Sequence, residues 1–163
     1  MKENKLTKVI IAILIAFCLP LGACAQTRLL QTLPSGNGVN KIFLNKGMIN
    51  LALKSTASSL KVFSDTDYIE VYNCENAELC TKALEEIEKM LKEYDAETLI
   101  ETQDQSDSVL IYQLFEIKDG KEPFAIALIQ TEKNQDSKIK ELNIVIVHGK
   151  NLNLNQLESL QML

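Results

Sequence analysis

The sequence predicts a two-layer α+β domain, a mostly antiparallel sheet of about five or six strands with helices packed on one face. Three observations carry this. Over 76–94, Ala77, Cys80, Leu84, Ile87, Leu91 and Tyr94 recur at spacings of 3, 4, 3, 4 and 3, an apolar stripe at helical period. Past Tyr94 the pattern becomes extended, with runs at 97–102, 109–117, 124–131 and 139–147 separated by polar turns. A further strand, 68–72, leads straight into the helix. If both strands share one sheet, the resulting strand-helix-strand unit crosses over right-handedly, and the later runs continue as an antiparallel meander.

The 163 residues suffice for one domain, since a chain of about 120 to 150 residues buries roughly two thirds of its unfolded surface. A hydrophobic share of 46% and a charged share of 24% argue against disorder and against a multi-span membrane protein. The 17 basic and 22 acidic side chains include three lysines and one glutamate in the first 23 residues, so the remainder carries 14 and 21, net −7. Such a surface repels phosphate, and no lysine run offsets it, so neither nucleic acid nor a polybasic membrane contact is expected.

From the amino terminus, Lys2, Lys5 and Lys8 precede the 11-residue apolar run 9–19, and Pro20 and Gly22 follow it. The run is too short for a membrane span, which needs about 20 residues; it reads as a secretory signal peptide over 1–23. Two cleavage readings overlap. Leu21-Gly22-Ala23-Cys24 fits the lipobox of bacterial lipoproteins, with Cys24 the acylated residue. Ala23-Cys24-Ala25 before Gln26 fits ordinary secretion, which would release a soluble protein cut near Ala25. Lipidation at Cys24 is preferred, since a cysteine directly after Leu-Gly-Ala is otherwise a coincidence, and two or three acyl chains anchor stably. Both readings place the domain outside the cytoplasm, in the periplasm or on the outer membrane if anchored. Residues 24–38, closing on Pro34-Ser-Gly-Asn-Gly38, read as a tether, and 39–163 as the single α+β domain.

Within the domain, 39–44 has strand content. Asn45 is placed to cap a short helix with Met48, Leu51 and Ala52 on its inner side. Residues 55–66 read as an irregular crossing. Asp65-Thr66-Asp67 lacks the further oxygen ligands and glycine of a calcium loop and reads as a turn into a strand.

On the outer side of the long helix, Glu78 with Lys82, Glu85 with Lys89 and Glu88 with Lys92 stand four apart, each acid before its base. Those lysines make Glu85, Glu86 and Glu88 a solvated face rather than a carboxylate site. Cys74 and Cys80 bracket the helix start. In an oxidising compartment they are a candidate disulfide, which requires Cys74 to curl back before the helix begins, because six residues along one helix span about 9 Å. Otherwise Cys80 is a core residue. Two cysteines without a second pair or histidines predict no metal site, and their spacing is not that of thiol redox motifs.

Asp119-Gly120 between the second and third runs signals a hairpin. Residues 124–129 and 142–147 are apolar on both sides and are candidates for central strands buried on two faces. Gly149 punctuates the end of the last strand. Asn153 is placed to cap a short helix over 153–161 with Leu154, Leu157 and Leu160 on one side.

The order of these elements carries a resemblance. The lipobox, the Lys/Gly-Met-hydrophobic helix after Asn45, the strand before a Lys/Glu amphipathic helix, the closing Ile139-Lys-Glu-Leu-Asn-Ile-Val-Ile-Val147, Gly149 and Asn-Leu-Asn-Leu154 together resemble the small secreted proteins of Bacteroidetes grouped as domain of unknown function 4252. The resemblance covers about 39–160, with Lys150-Asn151 after the glycine lengthening the usual spacing. It implies an envelope location and carries over no activity, ligand or functional residue.

Chemistry is sparse. His148, the single histidine, is the one conceivable general base at neutral pH, and Cys74 with His148 is the sharpest nucleophile pair on offer. No oxyanion signature, third member or serine elbow accompanies them, so His148 reads as an exposed turn residue. No catalytic residue, cofactor or metal is expected. Two classes of function stand: a non-catalytic, envelope-anchored or secreted module that binds an unknown envelope protein or ligand, and a small hydrolase-like enzyme or lipid or small-molecule carrier with a pocket between helix and sheet.

Overall fold

The computed structural model describes residues 28–55, with side chains to 51, and 65–104, 106–115 and 122–152. The signal peptide, Cys24, most of the 55–66 crossing, the Asp119-Gly120 turn and the 153–161 helix lie outside the described residues.

Six strands form one sheet: β1 (Val39–Asn45), β2 (Thr66–Cys74), β3 (Asp95–Gln103), β4 (Asp107–Phe115), β5 (Ala125–Lys133) and β6 (Ile139–Gly149). Their order across the sheet is β1-β2-β6-β5-β4-β3, and every neighbouring pair is antiparallel. Two α-helices accompany them among the described residues, α1 (Lys46–Ser55) and α2 (Ala77–Glu93). The α+β class with an antiparallel sheet is therefore as expected from the sequence. Counting directions along the order makes β2 and β3 parallel, joined through α2 with three strands between them. Four strand spacings come to about 19 Å, and 17 residues of helix measure about 25 Å. The helix is thus long enough to cross the face from one strand to the other.

The sequence makes these elements in ways that can be named. Asn45 accepts from the Met48 N–H at 3.0 Å and opens α1; Asn76 accepts from the Glu78 and Leu79 N–H groups, both at 3.1 Å, and opens α2. Along α2 the buried line is Cys80, Ala83 and Ile87, flanked by Leu79, Leu84, Met90, Leu91 and Tyr94. Ala77, expected on the inner stripe, is exposed, because the first turn projects past the end of β2. On the outer side Glu78 pairs with Lys82 at 2.6 Å, while Lys89 takes Glu86 one turn back at 2.7 Å rather than Glu85. In α1 the inward residue is Ile49, which packs with Ile69, Val71 and Val147, and Leu51 is 46% exposed. Of the line expected through Met48, Leu51 and Ala52, Met48 is half-buried and Leu51 exposed, while the side chain of Ala52 lies outside the described residues.

Strand alternation separates two apolar faces. Tyr72, Cys74, Leu114, Ala125, Ala127, Ile129, Leu142, Ile144 and Ile146 lie on the α2 face. Ile69, Val71, Ile111, Ile126, Leu128, Val145 and Val147 lie on the other, with Ile49 and Leu152. Central position explains the continuous apolar runs: every residue of 125–129 is buried, as is every residue of 144–149. At the outer edge β3 exposes Asp95, Glu97 and Glu101, charges that oppose pairing with another chain.

The stretch expected as a tether departs from that expectation. From Arg28 onward it packs on the sheet. Leu29–Thr32 form a 3-10 turn, and Leu29, Leu30 and Leu33 are buried in the α2-side core. Each such leucine contributes about 1.5 to 3 kcal/mol relative to exposure, which a solvated linker would forgo.

Candidate functional site

On β2 the alternation places Tyr68, Glu70, Tyr72 and Cys74 on the α2 face. Register pairs Tyr68 with His148, and Cys74 with Leu142, across β2 and β6. His148, read from sequence as an exposed turn residue, is 3% exposed, because β6 continues two residues past Val147 and keeps it inside the sheet. Its Nε2 lies 2.9 Å from Glu70 Oε1, with both side chains 4% exposed. A carboxylate only accepts, so Nε2 carries the proton and donates.

Glu70 has two further donors. Oε1 accepts from the Leu29 N–H at 2.9 Å and Oε2 from the Leu30 N–H at 3.0 Å. These are orphan N–H groups at the start of the 3-10 turn, whose N-cap Arg28 offers no side-chain bond of its own. The strand glutamate thus caps a helical turn 40 residues earlier in the chain. The Tyr72 hydroxyl donates to the Pro34 carbonyl at 3.1 Å, and the Lys41 ammonium donates to the Gln31 and Leu33 carbonyls. Burial holds that ammonium below the ordinary lysine range.

Aromatic rings close over the pair. His148 stacks on Tyr68 with centroids 4.0 Å apart and planes at 16°. Phe124 stands 6.1 Å from His148 and 5.2 Å from Tyr94, and Phe43 stands 5.4 Å from Tyr68. The Arg28 guanidinium sits 3.8 Å over the Phe43 ring, a cation-π contact. Burial pushes the Tyr68 phenol up to about 12, with the charge of Glu70 the next contribution and Tyr94 and Asp67 after it.

The cysteines form a separate centre. Cys74 and Cys80 are two buried thiols with Sγ atoms 2.8 Å apart, so the candidate disulfide, whose S–S bond would be about 2.05 Å, is not formed, and Cys80 is the core residue of the alternative reading. Cys74 does curl back as the sequence required, and each thiol finds a backbone acceptor: Cys80 the Cys74 carbonyl at 3.1 Å, Cys74 the Asn76 carbonyl at 3.4 Å. Burial, and then the Cys74 thiol, push Cys80 up to about 12. Such a thiol is not a nucleophile at neutral pH.

Cys74 and His148 are not brought together. Six residues of strand separate Cys74 from Tyr68, the residue beside His148, which is about 20 Å. The glutamates Glu85, Glu86 and Glu88 are solvent-exposed, and Asp67 pairs with Lys46 at 3.1 Å. Among the described residues no cluster of three or more His, Cys, Asp or Glu side chains is arranged to hold a metal.

Glu70 is the residue that sequence reasoning passed over. The signal was present: it shares parity with Tyr68, Tyr72 and Cys74 on a strand of otherwise apolar inward positions, and an inward glutamate needs a partner that the lone histidine can supply. No protein-family model matches this sequence, and no match emerges from comparison with curated proteins or with solved structures.

Proposed function

We propose that this protein is a non-catalytic module of the bacterial cell envelope, exported by its amino-terminal signal, anchored through Cys24, and acting by binding another envelope component. One observation carries the non-catalytic part. The three side chains on which sequence-level chemistry rested, Cys74, Cys80 and His148, are each at most 3% exposed and bonded to structural partners. A general base must reach the proton it abstracts, and the His148 ring lies buried under Tyr68, stacked on it at 4.0 Å. The lipobox at Leu21-Gly22-Ala23-Cys24 and the resemblance to the secreted domain of unknown function 4252 proteins support the address.

Cross-linking in intact envelopes tests the reading. The expected result is one reproducible cross-linked species formed by wild type and equally by a folded His148→Gln variant. Hydrolysis of ester or peptide probes by the purified chain, lost in that variant while its circular dichroism is unchanged, would overturn it.

A further inference from the structure

We infer that the anchored domain does not swing on a long leash but rests against the bilayer, with the end of the sheet that carries Arg28, Phe43, Lys46 and Tyr68 turned to the lipid headgroups. The inference rests on the proposed acylation of Cys24. A tether running from Cys24 to the start of β1 at Val39 is 15 residues long and reaches up to about 50 Å. Its last eleven residues are not available as leash. They are docked on the sheet by the Glu70 carboxylate at Leu29 and Leu30, by three buried leucines, by the Tyr72 hydroxyl at Pro34 and by Lys41 at Gln31 and Leu33. From Cys24 to Arg28 four residues are left, which no conformation stretches beyond about 14 Å.

The direction in which the docked segment runs decides which end faces the membrane. Arg28 lies over Phe43, near the end of β1. Pro34 is level with Tyr72, and the Gly38 carbonyl accepts from the Glu75 N–H just past the other end of β2. The segment therefore begins near the sheet end marked by Asn45, Tyr68 and His148, which are adjacent in register. The turn joining β5 to β6, centred on Gln135, projects from the opposite end, about 25 Å away along the strands. With a leash of about 14 Å at one end of the sheet, the Tyr68 end lies nearer the lipid on average. The occupant of this surface is the bilayer that holds the acyl chains. Arg28 and Lys46 stand there, but Lys46 is paired with Asp67. Attraction between surface charges is thus small, and the short leash does the positioning. Raised salt, which screens charges beyond about 8 Å or less, is expected to leave it unchanged.

Energy transfer from single labels on the full-length acylated protein to headgroup fluorophores in zwitterionic vesicles tests this. Lys46→Cys and Gln135→Cys place labels at exposed positions on the near and far ends, and the native Cys74 and Cys80 are buried and do not compete. The expected transfer is several-fold greater from position 46 than from 135. Fifteen Gly/Ser residues inserted between Gln26 and Thr27 leave the folded part untouched and add an r.m.s. span of roughly 20 Å; transfer from 46 is then expected to fall several-fold and the difference between the two ends to vanish. Equal transfer from both ends of the native chain, or no effect of the insertion, overturns the inference. Mass spectrometry of the same material separates the two failures. A chain without acyl groups on Cys24 sinks the anchoring reading and the inference with it, whereas an acylated chain with equal transfer sinks the inference alone.

Discussion

A carboxylate buried as deeply as Glu70 would cost several kcal/mol if it stood alone. Three donors converge on it, the His148 Nε2–H and the Leu29 and Leu30 N–H groups, and charge-assisted bonds of this kind are about twice as strong as neutral ones. Glu70→Ala leaves the histidine and two backbone donors buried without partners, so a loss of about 3 to 5 kcal/mol is expected in urea unfolding. Glu70→Gln keeps an acceptor for one backbone N–H and is expected to cost less. A measurable cost for Glu70→Gln is the check, because glutamine fills the same space and a merely space-filling role would leave its stability at the wild-type level. Tyr68 sets a second expectation at this scale. Its phenol is raised from 10.0 to about 12 in the folded protein, so the folded state holds that proton more tightly than the unfolded chain. The associated stability is complete below pH 10 and is lost as pH rises toward 12. Tyr68→Phe should therefore flatten the alkaline decline in that window while wild type falls, as read by chemical denaturation at each pH. Thr66 points the other way. Its hydroxyl is buried with no hydrogen-bond partner among the described residues. Thr66→Val is then expected to be neutral or to stabilise by about 1 kcal/mol.

At the scale of elements, what was legible in the sequence was what neighbours in the chain decide. The stripe of α2 from Cys80 onward, the cap at Asn45, and the two-sided apolar runs of β5 and β6 are all local patterns, and all appear in the fold. Asn76→Ala is expected to cost about 1 kcal/mol through the two N–H groups it now satisfies. What was not legible depends on partners far along the chain. The 3-10 turn at Leu29 has no local cap and exists because Glu70 supplies one, so its residues read as linker. His148 looked exposed because a glycine follows it, yet Gly149 continues the strand. An added Cβ at Gly149 would run into the Asp65 carbonyl oxygen and press on the Thr66 Cα. Backbone atoms cannot yield as a side-chain tip would, so glycine is needed there for the close passage of two chain segments. Gly149→Ala is expected to destabilise by about 1 to 3 kcal/mol, and to do so more than the same change at Gly36, where the nearest neighbour is the movable tip of Leu79.

In the whole molecule the last strand made is the one that joins everything. The β1-β2 pair and the β5-β4-β3 run meet only through β6, which pairs with β2 on one side and β5 on the other. The sheet cannot close until residues near the carboxy-terminal end of the described chain insert, so most of its pairings are long-range and the domain should open as one unit rather than strand by strand. The buried thiols report this directly. Cys74 ends β2 and Cys80 lies in α2, and both face the core that β6 completes. If opening is global, native thiol reactivity toward a disulfide reagent follows the unfolding equilibrium, and a core truncation in β6 must raise it by the full factor of its destabilisation. Ile146 is fully buried at the centre of that strand, and truncating a buried isoleucine to alanine costs about 2 to 5 kcal/mol. At tenfold for each 1.4 kcal/mol, Ile146→Ala is expected to speed labelling of both cysteines together by roughly thirtyfold or more. Faster labelling of Cys80 alone would instead show α2 lifting from an intact sheet.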